Sequence, residues 1–242
     1  MQQVLALIEN KKQDFAKLPL FYFMKNKSIH PRDRLSFAPI IIPLAMGFGE
    51  LCNHVFREEP TTNKIQALLN QHTYEEHFHW QWLLEDIEKL ELHHCSKLTD
   101  AMLFSFGEAT LKSRMVCYQI YHHTFQADPI FKFVAMQVAE VTANVFFNIS
   151  QPVALELQEI TGQDYRYFGM RHLHEEEHHH MNTPTIVSFF QQLELSDEQR
   201  QQAITIVELT FEAYTEAMNS CMDFVYKQNP TWNTKIFAES VN

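Results

Sequence analysis

Glycine is scarce in this sequence. Five occur in 242 residues, at 47, 49, 107, 162 and 169, too few for a fold made of many tight β-turns. Basic residues are also few: Lys and Arg number 19 against 30 Asp and Glu, a formal net charge of −11. They are scattered, with no basic stripe, which argues against a nucleic-acid partner or an anionic membrane surface. The cysteines at 52, 95, 117 and 221 are far apart and form no C-x2-C pair, so they read as reduced packing residues of a cytoplasmic protein. Nothing resembling a secretory signal opens the chain. The most apolar run, FAPIIIPLAMGF at 37–48, is too short to span a bilayer and carries two prolines.

What is present is helical periodicity, punctuated by proline and polar turns. Hydrophobic residues make up 45% of the chain, enough for one sizeable core without division into two domains. The expectation is a single all-α domain over 1–242, seven to nine helices, with its core at roughly 35–225 and a polar C-terminal tail. Residues 2–17 and about 38–56 read as helices, and one capped by Thr61 or Thr62 runs from about 63 to 92. Another, capped by Thr99 or Asp100, runs to about 125. Asp128-Pro129 opens a helix to about 149, Pro152 a short one closed by Gly162, and 163 to about 182 a further one. After a brief segment following Pro184, Ser196 caps a last long helix to about 226.

The run HLHEEEHHH, residues 172–180, is unlike a solvated helix face, where Glu is usually paired with Lys or Arg three or four positions away. At about 100° per residue, His172, Glu176 and His179 share one face in the spacing H-x3-E-x2-H. Imidazole nitrogen and carboxylate oxygen one turn apart can converge on one metal cation. A hundred residues earlier HTYEEHFH, 72–79, repeats the spacing in His72, Glu76 and His79, with Glu75 beside them. A wet amphipathic helix explains either triad alone; two of them suggest a facing pair. Between them FVAMQVAEVTANVFFNIS, 133–150, holds Glu140 in an almost wholly apolar stretch. A lone ionised carboxylate buried there costs several kcal/mol unless it meets a cation, whether a metal or an Arg or Lys from another helix. Tyr118, Tyr121 and His122 are candidates to face a substrate cavity.

Helical order, length and these residues resemble the haem-oxygenase-like diiron oxidases and oxygenases. In that family one core helix supplies Glu-x6-His, a second a Glu from an apolar stretch, and a third His-x3-Asp-x2-His. Glu140 matches the second, and His172, Glu176 and His179 match the third with Glu in place of Asp. YRYFGMRH, 165–172, resembles that helix's aromatic lead-in. The first motif is matched in part: His79 stands where the family has His, but His72 stands where it has Glu, leaving Glu75 or Glu76 to supply the carboxylate. The resemblance implies a haem-oxygenase-like bundle holding two irons per chain, with manganese as the alternative metal, dioxygen as co-substrate and a small organic molecule as substrate. Association of two copies stays open. The same fold hosts other chemistries. A haem oxygenase would need an early proximal histidine, for which only His30 is available, and a thiaminase-like hydrolase would need a nucleophilic cysteine such as Cys52 or Cys117. The altered first motif also suits a non-catalytic metal- or ligand-binding protein.

Overall fold

Most breaks expected from proline or polar turns become helix ends in the computed structural model. It describes residues 1–92, 97–178 and 184–230, the side chains at 176–178 and 184–185 excepted, and contains no strand among them. The all-α expectation holds. Helices α1 (Gln2–Phe15), α2 (Pro19–Lys25) and α3 (Pro31–Arg34) are followed by a 3-10 turn, Ala38–Ile41, and α4 (Ile42–Leu51), which runs into a π turn at Cys52–Phe56. Then come α5 (Lys64–Glu76), α6 (His79–Lys89), α7 (Leu98–Phe106), α8 (Leu111–Thr124), α9 (Pro129–Thr161), α10 (Met170–His178), α11 (Pro184–Gln191) and α12 (Asp197–Gln228).

One cluster of buried apolar side chains runs through the described residues. At its centre lies α9, which touches α1, α2, α3, α5, α8, α10 and α12. This helix and the Pro31–Phe56 stretch are long and apolar enough to cross a bilayer, but most of the α9 window is buried inside the fold, as befits a core helix. Asp128 caps α9 through Ile130 N–H with Pro129 at its first position, and Ser196 caps α12 in a reciprocal capping box with Gln199; both fit the sequence signals.

Several boundaries depart from the sequence reading. Pro152 does not open a new helix: α9 runs through it. The proline deprives the Asn148 carbonyl of its amide, but Asn148 is exposed, so water can take that carbonyl. The helix expected from a cap at Thr99 or Asp100 to about 125 begins at Leu98 and breaks at Gly107, and the one expected from 163 begins only at Met170. Asn63, not a threonine, caps α5, accepting from the amides of Ile65 and Gln66.

The break that matters most divides the first triad. Helix α5 ends at Glu76 and α6 begins at His79, with no proline or glycine between them to announce it. Across the chain, Gly49 of α4 faces this turn so closely that a Cβ would lie 2.8 Å from the His77 carbonyl oxygen and 3.0 Å from Trp80 Cδ1. A backbone carbonyl cannot swing aside as a side chain can. Gly49→Ala should therefore lower stability by about 1–3 kcal/mol, the usual cost of overpacking, as read by chemical denaturation; an unchanged midpoint would mean that α4 does not shape the turn.

Candidate metal centre

Because α5 stops at Glu76 and α6 restarts at His79, ligands from both helix ends turn toward α9. His72, Glu76 and His79 are all buried, His72 completely. His72 Nε2 lies 2.8 Å from Glu140 Oε1, and its Nδ1 lies 3.4 Å from Glu75 Oε2. His79 Nδ1 is 3.2 Å from Glu76 Oε2. His72, Glu76 and Glu140 each offer a ligand atom, all within 4.8 Å of one another. Of the two carboxylates left open by the sequence, Glu76 belongs to this cluster, while Glu75 is about a third exposed and touches it from the side. Glu140 pairs with His72.

The third motif enters from α10. His172, buried, holds its Nε2 3.1 Å from His79 Nδ1. Its Nδ1 lies 3.0 Å from the Tyr167 carbonyl. A carbonyl oxygen only accepts, so Nδ1 carries the proton and the Nε2 lone pair faces the cluster, the arrangement usual for a metal-binding imidazole. Rings pack around this pair: Trp82 stacks on His79 at a centroid distance of 4.4 Å, and Phe147 lies 3.9 Å from the His172 ring. Position 176 follows one turn later in α10, but its side chain and the whole of His179 lie outside the described residues.

Tyr167 is held in place by Asp86, a residue not singled out in the sequence. From α6, one helical turn beyond Trp82, its completely buried carboxylate accepts the amides of Arg166 at 2.8 Å, Tyr167 at 2.8 Å and Phe168 at 3.1 Å. Lys89 stands 3.5 Å away, and Arg166 lies over the Trp82 ring. The helix that carries His79 therefore clips the turn that orients His172.

Electrostatics bind the cluster further. Burial works to hold the His72 imidazole down, yet Glu140, with Glu75 and Glu76, outweighs it and raises His72 well above its ordinary value. The carboxylates around it thus favour the charged form of the His72 imidazole. Asp86 is pushed up to about 6 by burial, against the pull of its three amides and Lys89.

A cavity of about 100 Å³ opens beside the cluster, smaller than the ~150 Å³ cavities known to take benzene. Glu76, His79, Glu140 and His172 form one wall; Leu44, Phe48, Phe146 and Met218 are among the apolar remainder. Tyr214 also lines it, its phenol raised well above the usual value by burial, with Cys117 and Glu140 adding to the effect. The sequence could not distinguish Tyr214 among eight tyrosines. By contrast, Tyr118, Tyr121 and His122 are exposed on the outer side of α8 and do not line the cavity, because that helix turns Val116, Cys117 and Ile120 inward. Cys52 and Cys117 are buried with thiols pushed up by burial, Cys117 to about 12, the opposite of an activated nucleophile.

No protein-family model matches the chain, and no curated protein matches it.

A carboxyl raised above its unfolded value contributes stability at low pH that is lost as pH rises through the folded value. For Asp86 the window is from about 4 to about 6. Across it, wild type should lose up to about 3 kcal/mol relative to Asp86→Asn, measured as denaturation free energies at several pH values; a relative gain would show that the three amides outweigh burial.

Proposed function

We propose that the cluster holds a dinuclear iron centre and that the protein is a non-haem oxidase or oxygenase acting with dioxygen on a small organic substrate. The observation that carries this reading is the convergence of His72, Glu76 and Glu140 within 4.8 Å, next to His79 and His172 in the wall of an apolar cavity. The donor set fits: hard carboxylate oxygens with imidazole nitrogens suit iron, or manganese as a second choice. Two ferrous ions would supply electrons for the reduction of dioxygen. Glu140, reaching in from α9 toward the candidate ligands of α5, α6 and α10, would be the carboxylate shared between the metals. Leu44, Phe48, Phe146 and Met218 would exclude water and receive the apolar part of a substrate no larger than a few carbon atoms.

Protein purified without oxygen and titrated with ferrous iron should bind close to two ions per chain. Glu140→Ala should lower that occupancy, whereas His54→Ala, a change at a residue whose side chain is 71% exposed, should leave it intact. Full occupancy in Glu140→Ala would remove the dinuclear assignment.

A second reading, a non-catalytic protein on a degenerate site, is favoured by one observation. His72 as an imidazolium already neutralises Glu140 at 2.8 Å, a pair that satisfies the buried carboxylate without metal. The readings part on pH. Metal that uses His72 must displace its proton, and that proton is held above the ordinary histidine value, so ferrous affinity should rise as pH increases from 6.5 upward and the slope should flatten in His72→Glu. Without metal, the pair's stabilisation is fully present below about 6.5 and is lost as pH rises through the raised value. A melting temperature indifferent to iron at every pH selects the degenerate site.

A further inference from the structure

Helix α7 buries none of its residues. Leu98, Met102, Leu103 and Phe106 are 76%, 48%, 73% and 69% exposed, an apolar display that monomeric surfaces rarely carry in one patch. Helix α8 continues it. Its inward residues are Ser113, Val116, Cys117, Ile120 and Thr124; on the outward side Leu111, Met115, Tyr118, His122 and Phe125, its C-cap, are all exposed. Their spacing of four, three, four and three is the seam of a helix that pairs with another helix. Arg114 joins the two helices, donating to the Ser105, Phe106 and Gly107 carbonyls and lying over the Phe106 ring, so the end of α7 sits beside the seam.

We infer that the α7–α8 face is the two-fold interface of a homodimer, with α8 crossing its own copy near Tyr118. The area suits it: nine large side chains at roughly half exposure amount to roughly 800 Å² per face, close to the ~800 Å² per partner of a standard stable interface. No seam position is acidic or a permanent cation, so closing two copies sets no fixed like charges against each other at the seam although each chain carries a net −11, and the face offers nothing to recognise an oppositely charged protein. A lipid surface is disfavoured by the same face: Lys112 is paired with Glu216 at 2.8 Å and Arg114 is spent on carbonyls, leaving neither to meet headgroup phosphate. A two-fold axis at Tyr118, midway along the seam, sets Leu111 of each copy against Phe125 of the other, as a self-complementary interface requires.

Sedimentation of the full chain at tens of micromolar should give twice the chain mass. Tyr118→Glu and Phe106→Glu should each give a monomer with unchanged circular dichroism and unchanged ferrous binding. In a Cys95→Ser background, the remaining native cysteines being buried, Tyr118→Cys should form an intermolecular disulfide on mild copper-phenanthroline oxidation, and Asp14→Cys on α1 should not. A monomeric wild type overturns the inference, whether or not it sediments with phosphatidylcholine vesicles. So does a dimer that survives both glutamate variants, or one that fails to cross-link through position 118. None of these outcomes bears on the metal centre, which iron titration tests separately.

Discussion

Glu140 sits in the most apolar stretch of the central helix, in contact with His72 at 2.8 Å. An isolated ionised carboxylate there would cost several kcal/mol, and the imidazole that α5 delivers offsets part of that cost. Around that pair the remaining ligands are arranged by backbone events. The interruption between Glu76 and His79 turns two helix ends toward Glu140, and Gly49 lets α4 press against it. Asp86 then fixes the Tyr167 turn, whose carbonyl sets the proton position of His172.

Much of this was legible in the sequence, for reasons that can be named. Helices end where Pro129, Ser196 and Gly162 act locally, and those boundaries are right. The H-x3-E-x2-H spacing put His72, Glu76 and His79 in one place, and the isolation of Glu140 in an apolar run identified it as a buried charge needing a partner. The break inside the first triad was not legible, because no proline or glycine marks it and the close packing of Gly49 against it comes from nearly thirty residues away. Nor was the passage of α9 through Pro152, which depends on Asn148 facing water. Asp86 reads as one more acidic residue in an amphipathic helix; its role is created by three amides eighty residues further on. Tyr118, Tyr121 and His122 illustrate the converse, since aromatic spacing along α8 marks two opposite faces equally well and only packing shows which is inside.

His72, buried between Glu75 and Glu140, gives the site its distinctive electrostatics. Glu140, with Glu75 and Glu76, favours the protonated form of His72, and under the proposed function a metal that used this imidazole would have to displace that proton. The same residue therefore serves both the enzymatic and the non-catalytic readings until metal is counted. The apolar cavity lined by Phe48, Phe146 and Met218 lies beside this cluster.

The most direct measurement is a crystal structure of iron-loaded protein with anomalous scattering at the iron edge. Two peaks roughly 3.5–4 Å apart, bracketed by Glu140 and flanked by His72, Glu76, His79 and His172, are the result predicted here. A structure that retains the His72–Glu140 contact with no peak beside it would contradict the account.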